Sequence, residues 1–280
     1  TGNVPTNVQA KLRESVSVLD FGADNTGASS SQTALENAIA TGYSLYFPAG
    51  TYLITNVLSP QSNTKWYANK DATIKFSTND CKIYALSISN WEMEGLNVDG
   101  NYTAYAPPTT VEKPWGVLCE ACTNINIHHN YFHEIWRIGV MIGDTNTTPN
   151  VGVTVADNYF NNIGKTTDAV ANFGNGIAVG CGQDIHIVRN IIANITGTTS
   201  ATGGINLEPY NNTYTVRDVW ITDNYIDTVN NAPGINTIMA GTYSVSLDNI
   251  NISGNRINST NTAAGILLNG FGITTVDNNY

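Results

Sequence analysis

The sequence predicts an all-β chain, folded as a right-handed single-stranded parallel β-helix with a short N-terminal neck and a capping helix. Three observations predict it. A short phrase recurs: NINIHHNYF from Asn124, VTVADNYF from Val153, IHIVRNII from Ile185, VWITDNYI from Val219 and INISGNRI from Ile250. A second column, Gly followed by Ile or Val, falls between the phrases at Gly116, Gly139, Gly176, Gly204, Gly234 and Gly265. Beyond residue 55, short runs of alternating apolar residues are broken every few positions by Asn, Gly, Asp and Thr, and no run has helical periodicity.

The elements follow in order. Residues 1–14 form a helical neck around VQAKLRE. Residues 15–55 form the N-terminal cap: a short strand in SVSVLDFGAD, a turn at Gly22 to Gly27, an amphipathic helix over Ser29 to Ala40, and two strands in SLYFPAGTYLI around a Pro-Ala-Gly turn. Leu35, Ala38 and Ile39 make the apolar stripe of that helix, and Gly42 ends it. Residues 56–280 are the rungs. In register on Asn, the column reads Asn101, Asn130, Asn158, Asn190, Asn224, Asn255 and Asn278, at intervals of 29, 28, 32, 34, 31 and 23 residues. Two apolar residues precede each at alternate positions, from Leu96 and Val98 in the first to Ile250 and Ile252 near the end.

One such unit cannot bury its apolar residues alone. Stacked at roughly 4.8 Å per rung, the units bury a continuous column of Ile, Val and Leu. Asn suits the turn because its amide both donates and accepts, so stacked Asn side chains can bond along the ladder. The aspartates before the column, Asp157, Asp223 and Asp277, then read as turn residues, as does Asp99 one place earlier. The last phrase, GITTVDNNY, ends on a rung with no cap, so the natural chain is expected to continue past Tyr280.

Composition agrees. Charged residues are 12% of the chain, about half the ~25% of an average soluble domain. A net charge of −10 argues against nucleic acid and against an anionic membrane surface as partners, since both attract a basic stripe. No eighteen-residue apolar run suggests a membrane span, and the first residues lack a signal pattern. The cysteines at 81, 119, 122 and 181 lack metal-site spacing and read as buried free thiols, Cys119 facing inward.

VQAKLRESVSVLDFGADNTGASSSQTALENAIA followed by LYFPAGTYLI resembles the opening of the pectate-lyase-like β-helix superfamily, and more narrowly of bacteriophage tailspike depolymerases. The motif resemblance covers about the first 55 residues, and the rungs extend it in pattern. It implies a homotrimer on a virion tail, joined to upstream tail or baseplate proteins and acting outside the bacterium on a capsule or O-antigen polysaccharide. Members include hydrolases and lyases, so the site must decide the chemistry.

Strand alternation puts Ile205 and Leu207 inward and Asn206 and Glu208 outward, and the same count puts Glu120 outward. Glu120 and Glu208 are three rungs apart, ~14 Å, too far for a hydrolytic pair at ~5–9.5 Å. Glu208, at a strand end before Pro209 and Tyr210, is the candidate general acid. Asp168, in the insertion GKTTDAVANFGN, or Asp184 is the candidate base or nucleophile. Trp115, Trp136, Trp220 and Tyr210 are candidates for stacking on sugar rings, and Asn206 and Arg137 are further candidates for substrate contact. A lyase would instead draw a base and a cation from His128, His129, Lys165, Arg137 and Arg189. Acids that pectin hydrolases carry before the Gly-Ile strand are replaced here by Trp115, Ile138, Asn175, Gly203, Pro233 and Ala264. No cofactor is expected. No metal is expected either, because alternation would send the adjacent His128 and His129 to opposite faces. The reading is polysaccharide hydrolysis, with a lyase or a non-catalytic receptor-binding fibre of the same fold as alternatives.

Overall fold

A computed structural model describes residues 14–105, 115–165, 173–197, 199, 201–209, 212–230, 232–238, 247–258, 264–269 and 274–280. The neck helix expected before Ser15 lies outside these residues. Among the described residues the chain visits three sheets in turn, of ten, nine and eight strands, and neighbours within each sheet run parallel. The middle of the first sheet stacks Thr123–His128, Asn150–Ala156, Gly182–Val188 and Val216–Thr222. The second stacks Tyr131–Ile135, Tyr159–Ile163 and Ile191–Thr196. The third stacks Trp115–Glu120, Ile138–Ile142, Asn175–Val179 and Gly203–Leu207. This is the expected parallel β-helix.

Registers place like residues on like. Ile125, Val153, Ile185, Val219 and Ile250 align, as do Val117, Val140, Ile177, Ile205 and Ile235. Both columns are buried in one continuous core. Phe132 stacks on Phe160 with centroids 4.9 Å apart. Toward the N-terminus the same interior is filled by Phe47, Tyr52, Trp66 and Trp91 in tilted and edge contacts. The Gly column marks a close approach: a Cβ on Gly116 would lie 2.5 Å from the Gly139 carbonyl oxygen, and one on Gly139 2.6 Å from that of Gly176. All four cysteines are buried free thiols.

The Asn ladder forms as its chemistry suggests. The Asn158 backbone N–H and Nδ2 both donate to Asn190 Oδ1, at 3.0 and 3.1 Å, and Asn190 donates likewise to Asn224 Oδ1 at 2.9 and 3.0 Å. Each Nδ2 also reaches a carbonyl of the preceding rung, Asn190 to Val155 at 2.8 Å. The residue before each ladder Asn is left-handed, at His129, Asp157, Arg189, Asp223 and Gly254. Asn101 and Asn278, expected in this column, are not in it. Asn130 Oδ1 accepts from the Leu96 N–H, so Leu96 holds the first place, and Asn279 takes the last. The apolar pair of that first rung is accordingly Trp91 and Met93, not Leu96 and Val98.

The capping helix runs Gln32–Ala40, shorter than the sequence suggested, and it buries Leu35, Ala38 and Ile39. Ser29 and Ser30 instead belong to the strand Thr26–Ser30. Asp24 draws this segment out of the helix by accepting from the N–H and hydroxyl groups of both Thr26 and Ser29. Those bonds hold its carboxyl well below the usual range. Among the described residues no helix is long and apolar enough to cross a membrane.

Candidate active site

The third sheet has an outer face unlike those of a solvated solenoid. Outward Trp115, Leu118, Ile138, Met141 and Ala178 form a second buried apolar cluster outside the core, with Tyr84 and Phe173 packed against it. One rung on, the columns turn polar. Leu118, Met141, Ala178 and Asn206 align, as do Trp115, Ile138, Asn175 and Gly203. Asn175, Thr202 and Asn206 are buried, and their Oδ1, Oγ1 and Oδ1 atoms have no hydrogen-bond partner among the described residues. Buried polar atoms of this kind are uncommon, and they cost stability unless a ligand or water meets them.

Glu208 follows the strand Gly203–Leu207 at this polar patch, and its N–H is fixed to the Val179 carbonyl at 2.8 Å. Burial pushes its carboxyl up to about 7, against a 2.8 Å bond from Asn206 Nδ2 that favours the anion. The group can therefore carry a proton near neutrality, which a general acid requires.

Glu120 also points outward, but it is enclosed. Its Oε1 accepts from the Thr145 N–H at 2.6 Å, the Thr145 hydroxyl at 2.9 Å and the Asn146 N–H at 3.2 Å, and its Oε2 accepts from the Tyr84 hydroxyl. Burial raises its pKa, but these bonds outweigh burial and hold it below its ordinary value. Its stabilisation is then present above the ordinary carboxylate range and is lost as pH falls through the depressed value. Glu120→Gln is expected to cost roughly 1–3 kcal/mol at pH 7 and to flatten the acid limb of stability, read by urea unfolding from pH 3 to 7 at about half-unit steps.

Among the described residues no hydrogen bond joins Glu208 to another carboxylate. Asp184 lies on the first sheet at a left-handed bulge, exposed and 3.1 Å from His186 Nε2. That bulge is itself a column, with Asn124, Gly152, Asp218 and Asn249 in the same conformation. Asp168 and Tyr210 lie outside the described residues. The candidate stacking rings Trp115 and Trp136 are both buried, so neither presents an open face. Trp136 packs beside Tyr102, with the Lys165 ammonium 3.9 Å from the Tyr102 centroid. Arg137 is fully buried near the Phe173 ring.

Two arrangements escaped the sequence. His128 and His129 do not point apart: the left-handed backbone at His129 breaks alternation, and the two Nδ1 atoms are 2.8 Å apart. Next to them, an open groove of about 350 Å³ runs along the outer second sheet. Tyr131 and Tyr159 stack on its floor with centroids 5.0 Å apart, and Arg189 pairs with Asp157 at its side at 2.7 and 2.8 Å. The signal for the tyrosines was the NYF that follows the column at both Asn130 and Asn158.

No family model matches this chain, and no curated protein matches it. Among solved structures, the pre-mature bacteriophage phi29 gene product 12 superposes with a TM-score of 0.63 at 17% identity, over 92% of this chain and 42% of its own. Geobacillus virus E2 ORF18 superposes at 0.61 and 14% identity, over 97% and 63%. An iota-carrageenase complexed to iota-carrageenan fragments superposes at 0.56 and 13% identity, over 88% and 57%. The chain spans less than two thirds of each of these proteins. At such identities the likeness shows the fold, a β-solenoid that this chain shares with two phage proteins and a carrageenase.

Proposed function

We propose that this chain is part of a phage tailspike that binds a bacterial surface polysaccharide, capsule or O-antigen, and shortens it by glycoside hydrolysis with Glu208 as general acid. The observation that carries the reading is Glu208 itself: a carboxyl raised to about 7 at a strand end, beside buried polar atoms with no partner among the described residues. The solenoid shared with two phage proteins and a carrageenase supports the setting. In this reading Glu208 passes its proton to the glycosidic oxygen as the C–O bond breaks, and a second carboxylate, for which Asp168 is the candidate, activates water or attacks the anomeric carbon. The working protein is a homotrimer attached to upstream tail or baseplate proteins, acting outside the host cell. The test is viscosity loss of purified host polysaccharide with the wild type and Glu208→Gln. Loss with the first and none with the second supports the reading, while equal loss removes Glu208 from it.

The raised pKa has a pH signature. A carboxyl whose folded pKa lies above its unfolded value of 4.5 stabilises the fold below that value, and the contribution fades as pH rises to about 7. Activity that needs the protonated acid falls over the same upper limb. Glu208→Gln is expected to remove this part of the stability slope, measured by thermal melts between pH 4.5 and 8 at about half-unit steps.

A second reading, binding without cleavage, draws on the groove. Exposed Tyr159, stacked on half-buried Tyr131, offers a ring suited to sugar C–H surfaces. Tyr159→Ala is expected to weaken polysaccharide binding about tenfold by calorimetry, equivalent to about 1.4 kcal/mol. Unchanged binding would place the carbohydrate elsewhere.

A further inference from the structure

We propose that His128, His129 and Glu94 form a site for a first-row transition-metal dication such as Zn²⁺ or Ni²⁺ on the outer face of the first sheet. Glu94 and His128 are register neighbours on adjacent rungs and both point outward. His129 joins them because its left-handed turn, φ 56°, swings the ring back toward His128. One ligand atom from each residue lies within 4.8 Å of the others. Two imidazole nitrogens and a carboxylate oxygen are a donor set suited to such an ion, with ligand distances of ~2.0–2.2 Å and a further position open to water.

The surroundings orient the ligands. His128 Nε2 lies 2.9 Å from Glu92 Oε1. A proton on that nitrogen leaves the Nδ1 lone pair facing His129, the carboxylate–histidine arrangement that supports metal-bound imidazoles. Lys65 engages Glu92 at 2.8 Å and also Glu94 Oε2, so one oxygen of Glu94 is committed to an ammonium. A dication at the second oxygen must tolerate that charge, which favours an ion held mainly by the two imidazoles. The site borders the tyrosine groove, which His129 also lines. It shares no residue with the Glu208 patch and stands or falls separately from the proposed reaction.

The test is calorimetric titration of the chelator-treated full chain with ZnCl₂ and with NiCl₂, for the wild type, His128→Gln, His129→Asn, Glu94→Gln and His186→Gln. Asn tolerates the left-handed conformation, so His129→Asn keeps the turn. The expected result is about one ion per chain, with affinity lowered at least ~10-fold in His128→Gln and His129→Asn and unchanged in His186→Gln. Co²⁺ substitution in the wild type supplies a readout that needs no variant: visible d–d bands and paramagnetically shifted His128 and His129 ring resonances. No binding at about 100 µM metal, wild-type affinity in His129→Asn, or loss in His186→Gln would each overturn the site.

Discussion

Glu208→Gln is expected to slow polysaccharide depolymerisation by ~10²–10⁴-fold while leaving binding and the melting temperature at pH 5 nearly unchanged. Gln keeps the shape of the protonated acid and can still accept from Asn206 Nδ2, which now lies 2.8 Å from the carboxylate. It cannot release a proton. Half-buried Glu208 is bonded to Asn206, and Gln is nearly isosteric with it, so the substitution exchanges one polar group for another and opens no cavity. Reducing-end assays over a range of substrate concentrations separate the two effects: kcat falls and KM holds if Glu208 acts on the transition state. A rise in KM alone would make it a binding residue.

The second large effect concerns the Asn ladder. Asn190→Ala removes bonds to Val155 O and Asn224 Oδ1, and takes away the acceptor of both Asn158 donors. These groups are buried. Each orphaned group costs roughly 1–3 kcal/mol, and Asn158 Nδ2 keeps its bond to Ile127 O, so the total is expected at about 3–5 kcal/mol. Asn126→Ala, on the outer face of the first sheet and off the ladder, is expected to shift stability by less than ~0.5 kcal/mol. Urea unfolding compares the two, and equal shifts would mean that the ladder contributes no more than any surface Asn.

The solenoid was legible because its causes are periodic. Ile125, Val153, Ile185 and Val219 recur at the spacing that stacking demands, and Asn follows at the one turn where its amide bonds in both directions. Legibility failed at the ends of the period. Leu96 occupies the first ladder place, so reading by Asn alone slid the first rung onto Asn101. At Tyr280 the run of two Asn residues allowed a slip of one, to Asn278 in place of Asn279.

The candidate site was legible in direction but not in burial. Alternation assigned Glu120, Asn206 and Glu208 to the outer face, yet only packing shows that face to be covered, with Glu120 locked by Thr145 and Tyr84. Outward Leu118 and Met141 were the available signal, since apolar residues on an outward face need a cover, while Trp115 and Ile138 share the parity of inward Val117 and Val140 and join the outer cluster only in the structure. His128 and His129 show the converse error. Alternation holds only for extended backbone, and a left-handed residue cancels it.

The central claim is that this solenoid hydrolyses a surface polysaccharide, and isotope labelling tests it most directly. Purified host capsule or O-antigen is digested in ¹⁸O-water and the fragments are weighed by mass spectrometry. Hydrolysis predicts one ¹⁸O per cleavage, carried on the new reducing end, and no unsaturated sugar. Unlabelled fragments with an unsaturated uronate would contradict it and show a lyase, and an undigested polymer that still binds would show a receptor-binding fibre.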